Sequence, residues 1–212
     1  MPIFSILILL FVFIFSFFGL YFYSVDAYTL NSEAILAEPS LKHFLGTDRL
    51  GRDILARLMQ GGQVSLTIGV GSAFIASMIG LLLGSIAGYL RGNVDKSFII
   101  IVDLFLTFPT FFLLLALVSY VNASAWVLIV IISITGWMTT ERLIRSESFK
   151  ITSQPYIKIL NIGNVSKLKI LFKYYAPILA PIYFVSFTFG VGGAILAESG
   201  LSFLGLGIVA PQ

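Results

Sequence analysis

Residues 64–90 read VSLTIGVGSAFIASMIGLLLGSIAGYL, twenty-seven positions without one charged side chain. A helix crosses the roughly 30 Å hydrocarbon core of a bilayer with about 20 apolar residues, so this stretch is long enough to span. It also carries a small residue at every fourth position: Ser72, Ala76, Gly80, Gly84 and Gly88. Small residues along one stripe let helix backbones approach closely, and in lipid such packing replaces the missing hydrophobic drive. The stripe marks either a helix–helix contact or the lining of a pore, and Gly190, Gly192 and Gly193 carry the same two readings.

Outward from this segment, the same window gives further spans at 3–23, 98–121, 125–139 and 178–197, the fourth reaching full length only if it runs on to Leu143. Of the 212 residues, 58% are hydrophobic and 11% charged, where soluble chains carry roughly 25% charged. A core of this size cannot hide so much apolar surface, so the excess must face lipid. The expected fold class is all-α, a polytopic transmembrane helical bundle with five spans present. The first span lacks a basic leader and a small-residue cleavage site, and is read as an uncleaved helix. Cysteine is absent and His43 is the single histidine, which excludes a disulfide framework and Cys- or His-rich metal centres.

Orientation follows from thirteen Lys and Arg, because cytoplasmic loops carry the excess. Lys42, Arg49, Arg52 and Arg57 lie between the first two spans. Arg91 and Lys96 follow the second, and Arg142, Arg145, Lys150, Lys158, Lys167, Lys169 and Lys173 follow the fourth. Alternating spans put the last two groups on one side, nine bases against four. That side is expected to be cytoplasmic, with the N-terminus inside and the C-terminus at Gln212 outside.

The chain has no G-x-x-x-x-G-K-[ST] phosphate loop, no H-E-x-x-H and no G-x-S-x-G elbow. No catalytic, metal-binding or cofactor-binding residue is assigned to it, and nothing points to nucleic acid. Asp103 and Glu198 fall within spans, where a carboxylate is costly; each reads as a structural hydrogen-bonding group, a gating or pathway group, or a proton site. Pro109 is expected to kink the third span. Ahead of the second span, Asp48 is expected to be the N-cap of the helix, with Arg49, Arg52 and Asp53 in local ion pairs.

Residues 141–175 are too long for a turn and mix seven bases with apolar side chains. Pro155 suits a first helical position, Gly163-Asn164 tolerates the left-handed angles of a bend, and helix resumes from Lys167. Two short amphipathic helices at such a bend would either dock on a partner or lie on anionic lipid.

Several stretches together resemble a known family. FLGTDRLGRDILARL (44–58) and GQVSL (62–66) are similar to the HPLGTDxLGRDxxSRLxxGxRxSL signature of dipeptide, oligopeptide and nickel permeases of ABC importers. AGY (87–89), VDLFLTFP (102–109), GW (136–137), RLIR (142–145) and AILAESGLSFLGLG (194–207) continue the likeness. The chain is identified as a member of the C-type permease subunits of that family.

The resemblance implies a bundle of the type I ABC importer permease kind, with residues 1–63 as N-terminal helix plus outer, periplasmic segment and 64–212 as permease domain. It implies a multi-pass protein of the bacterial inner membrane that imports peptides, with nickel or another small solute as the alternative; a membrane-anchored interaction protein that transports nothing is the competing reading. The partners implied are a homologous permease subunit, two ATP-binding subunits carrying the ATP, a periplasmic or lipoprotein substrate-binding protein, and the lipid bilayer. The segment 141–175 would be the coupling segment that docks on an ATP-binding subunit, through Tyr156, Lys158, Ile159, Leu160, Gly163 and Asn164. Lys158-Ile159-Leu160 fall on the family's EAA triplet, so Lys stands where the family has Glu, and Asn164 falls on its glycine. Arg52 would support the outer gate or binding-protein docking. Relatives continue past this chain's last residues, Pro211-Gln212, through one more span, so the family's sixth span is expected to be missing here.

Overall fold

A computed structural model gives the fold and describes residues 2–208, apart from the side chains of Pro2 and Asn161; the position expected for Gln212 lies outside the described residues. The order is α1 (Pro2–Phe22), a 3-10 turn (Ser32–Ala34), α2 (Ile54–Leu90), α3 (Gly92–Thr107), α4 (Thr110–Val118), α5 (Ala125–Ser153), α6 (Pro155–Ile162), α7 (Lys167–Ile170), a π-helical turn (Leu171–Tyr175) and α8 (Ala176–Phe203). Extended pairing among the described residues is limited to an isolated bridge between Thr47 and Asp53. The fold is all-α and polytopic: four helices are long and apolar enough to span, five if the bent pair α3–α4 counts as one span.

Two compact units emerge, residues 2–67 and 68–208. In the first, α1 shows apolar side chains on almost its whole surface, as a helix bathed in lipid should. The segment after it folds into a tight knot over residues 23–53. Gly46 (φ +75°) and Gly51 (φ +74°) sit in the left-handed region, and a Cβ on Gly51 would fall 1.8 Å from the Asn31 carbonyl oxygen. Only glycine fits there. Thr47 accepts the Ala37 N–H at 2.8 Å and donates its hydroxyl to the Ala34 carbonyl.

The second unit is built on the glycine stripe of α2. Cβ atoms on Gly80, Gly84 and Gly88 would meet α5 atoms at 2.6, 2.7 and 2.5 Å, several of the neighbours being backbone. The two helices therefore pack backbone to backbone, as the spacing predicts. Ser133 Oγ donates to the Ser72 carbonyl at 3.2 Å and Thr152 Oγ1 to that of Gly88 at 3.2 Å, adding bonds between the two helices.

Two expectations need correction. The fourth span does not stop at Thr139 or Leu143: α5 runs 29 residues to Ser153, about 44 Å. Polar residues end the apolar window but not the helix, since Thr140, Glu141 and Ser148 are buried in the bundle. The loop proper is correspondingly shorter than 141–175. Pro109 does not kink a continuous helix but separates two, bent by 77°. Phe108 is extended (φ −87°, ψ 134°), the conformation that proline imposes on the residue before it.

Candidate functional site

The helices after α5 fold back on it. Pro155 opens α6, and α6 closes at a left-handed Asn164 (φ +54°). The Val165 N–H reaches back to the Leu160 carbonyl at 3.1 Å, the long-range bond of a Schellman turn with Asn164 in the glycine position. Gly163 has no positive φ, so the bend belongs to Asn164. Ser166 then caps α7, accepting from the Lys169 N–H. The chain passes through one π-turn, in which the Ala176 N–H donates to the Leu171 carbonyl, and enters α8. The wider turn falls where Pro177 can offer no N–H to Lys173.

This hairpin has two faces. Inward, Ile157 and Ile170 join Ile144, Ile151, Tyr175 and Leu179 in a buried apolar cluster, with Leu160 and Val165 packed against it. The Tyr175 and Thr152 hydroxyls are hydrogen-bonded to each other. Outward, Ile159, Ile162, Leu168 and Phe172 are 67–86% exposed, with exposed Lys158, Lys167, Lys169 and Lys173 among them. Of the six residues expected to couple, Lys158, Ile159, Gly163 and Asn164 lie on the outer surface, and Tyr156 is exposed beside Tyr174, ring centroids 6.5 Å apart. Leu160 points to the core.

Behind the hairpin, α3 and α5 are joined by charge. Arg142 binds Asp103, so the intramembrane acid bonds a neighbouring helix. Arg145 Nη1 donates to Asp95 Oδ1 at 3.0 Å. Arg91, at φ +57° between α2 and α3, donates to the Phe149 carbonyl at 2.8 Å and to Ser153 Oγ at 2.6 Å, and stacks 4.0 Å from the Phe149 ring. Sequence reading missed Asp95, Arg145 and Arg91 as a group, and missed Glu141, which is fully buried. The signal was the fourth span continuing past Thr139, which puts Glu141 inside a packed helix. Glu198, near the end of α8, is buried and accepts from Ser202 Oγ at 2.7 Å.

A cavity of about 450 Å³ opens between α2, α4, α5 and α8. Ser72, Ala76, Thr135, Thr139, Ser186 and Gly190 line it among mainly apolar neighbours. The α2 stripe packs on α5 along its length, Gly80 to Gly88 backbone to backbone and Ser72 and Ala76 buried beside Ser133 and Gly136, where they also line the cavity.

In the first unit Asp48 is not the N-cap of α2. Asp53 is, accepting the Ala56 N–H at 2.8 Å. Asp48 instead closes the turn before it, accepting the Leu50 and Arg52 N–H groups at 2.8 and 3.1 Å, Arg52 Nε at 2.9 Å, and the Arg57 guanidinium. Burial opposes the charge, but these donors hold the Asp48 carboxyl well below the usual carboxylate range. Asp53 Oδ2 is met by the Tyr23 hydroxyl at 2.7 Å and His43 Nδ1 at 2.8 Å. Burial and then Asp53 push the Tyr23 phenol up to about 12. Arg52 is therefore spent inside the knot rather than offered to solvent.

Together these features define a helical transmembrane domain: spans locked by a glycine seam, a cavity between helices, and a hairpin clamped by its inner face. Residues 80–212 match the family described as binding-protein-dependent transport system inner membrane component, and the chain belongs to that family. It is 36% identical over 192 residues to the oligopeptide transport system permease protein OppC of Mycobacterium tuberculosis, covering 90% of this chain and 65% of that one. It is 33% identical to the dipeptide transport system permease protein DppC of Bacillus subtilis, covering 98% and 65%, and 30% identical to OppC of Haemophilus influenzae, covering 98% and 68%. The chain thus spans about two thirds of the length of these relatives.

Proposed function

We propose that this chain is a permease subunit of an ATP-driven importer of dipeptides or oligopeptides in the bacterial inner membrane, with its N-terminus in the cytoplasm. It pairs with a homologous permease, receives substrate from a periplasmic or lipoprotein binding protein, and is driven by two ATP-binding subunits that hold the nucleotide. The names of the relatives favour peptide over nickel. The observation that carries the reading is the hairpin of α6 and α7. Its inner face is clamped to α5 and α8 by a buried cluster, and its outer face leaves four large apolar side chains uncovered. A lever with an apolar tip transmits force from a soluble partner, whereas a lipid anchor draws on its lysines together with its apolar face. The cavity beside α2 is the stretch of pathway this subunit contributes.

The test is reconstitution of the chain with the second permease, ATP-binding subunits and substrate-binding protein of its own genome in proteoliposomes. Ile159→Asp or Phe172→Asp should abolish peptide-stimulated ATP hydrolysis while the protein still inserts. Neutralising Lys167 and Lys169 should cost little, since exposed charge pairs contribute under about 1 kcal/mol. The reverse pattern would make the hairpin an electrostatic anchor.

A further inference from the structure

Glu141 is the least explained group in the protein. Its side chain is fully buried, and neither carboxylate oxygen has a hydrogen-bond partner among the described residues. A buried carboxylate without a hydrogen bond is rare because leaving its oxygens unsatisfied is costly. Facing it is a second such group. Arg145 Nε, one turn further along α5, is also buried without a hydrogen-bond partner and lies 3.5 Å from Glu141 Oε1. At that distance the two are ion-paired but short of a hydrogen bond, while Arg145 Nη1 donates to Asp95 of α3 at 3.0 Å.

The other charged groups around Glu141 are Arg142 and, from α3, Asp95 and Asp103. Arg142 is taken by Asp103. From α2, Gly80 and Gly84 close on the Glu141 backbone. Arg145 therefore has two carboxylates within reach and full bonds to only one.

We infer that Asp95 and Glu141 are alternative seats for Arg145, and that the guanidinium passes from one to the other when α3 shifts against α5 during transport. In the arrangement described here the arginine ties α3 to α5. Seated on Glu141, it would be bonded wholly within α5 and α3 would be released. The exchange lies at the base of the hairpin, because Ile144 precedes Arg145 and belongs to the cluster that clamps α6 and α7. Glu141 is a positioning residue, acting through Arg145 and touching no substrate. The inference rests on the transport reading only for its role, not for its geometry.

Two measurements test it. In the purified chain, thermal unfolding of Asp95→Asn, Glu141→Gln and the double variant forms a double-mutant cycle. If the seats are alternatives, Asp95→Asn alone is partly rescued by Glu141, and the double variant loses more thermal stability than the singles combined. Additive shifts would overturn the exchange. In the reconstituted importer, Glu141→Gln removes a buried carboxylate that has no hydrogen bond and should raise the melting temperature, yet slow peptide-stimulated ATP hydrolysis about fivefold or more by holding Arg145 on Asp95. A purely structural Glu141 would move stability alone, and wild-type turnover in Glu141→Gln would overturn the positioning role. If the wild-type importer moves no peptide, the transport reading fails while the cycle still judges the exchange.

Discussion

Asn164 holds a left-handed backbone, φ +54°, that costs most side chains about 1–2 kcal/mol and a β-branched one more. Asn164→Gly should therefore keep the hairpin, and Asn164→Val should lower the coupling of ATP hydrolysis to peptide. Gly163→Ala should be close to neutral, since its Cβ would meet nothing nearer than the Ile159 carbonyl at 3.4 Å. The bend itself was legible from Gly163-Asn164, but not which residue made it. The same limit appears in the knot. Asp48 and Asp53 are both good caps by composition, and Asp53 wins because Gly51 must lie against the Asn31 carbonyl, a contact from 20 residues away that no local pattern encodes. Asp48 has a depressed folded pKa, so its contribution is full above the ordinary carboxylate range near 4 and is lost as pH falls through the lower folded value. Protease resistance of residues 23–53 should thus separate wild type from Asp48→Asn at pH 7, and the two should converge only in strong acid. A wild-type knot that loosened near pH 5 would contradict the pairing.

Among the elements, α2 was the most readable and α5 the least. The four-residue spacing of small side chains encodes a surface, and the surface found its partner. By contrast, hydropathy ended the fourth span where Thr139, Thr140, Glu141 and Arg142 begin, although a polar residue inside a bundle is paid for by its neighbours rather than by its own sequence window. The glycine seam makes a controlled comparison possible. At Gly84 a methyl would sit 2.7 Å from the Glu141 carbonyl oxygen, whereas at Gly192 it would meet nothing within 4 Å. Gly84→Ala should destabilise the protein by about 1–3 kcal/mol, the usual cost of overpacking, and Gly192→Ala should leave its melting temperature within error. Equal effects would mean that α2 and α5 do not touch as described.

For the whole molecule, the number of crossings turns on α3 and α4. A pair bent by 77° can be a broken span or a re-entrant loop, and hydropathy cannot separate the two, because both bury the same apolar residues. The contacts of α3 decide it. Arg91, just before α3, bonds Phe149 and Ser153, and Asp95 in its first turn bonds Arg145, so α3 starts beside the last turns of α5. After α4 ends at Val118, only six residues remain before α5 begins at Ala125. The pair must therefore carry the chain from one end of α5 to the other, about 40 Å, which is a full crossing. Three crossings then separate Ser32 from Gly163, and an odd number puts them on opposite sides. Because the chain has no cysteine of its own, Ser32→Cys and Gly163→Cys each give a single reporter at an exposed position. By the basic excess beyond α5, Gly163 is expected inside. Membrane-impermeant maleimide on intact cells should label Ser32→Cys at once and Gly163→Cys only after the membrane is opened. Labelling of both from the same side would make α3–α4 re-entrant and reverse the placement of the hairpin.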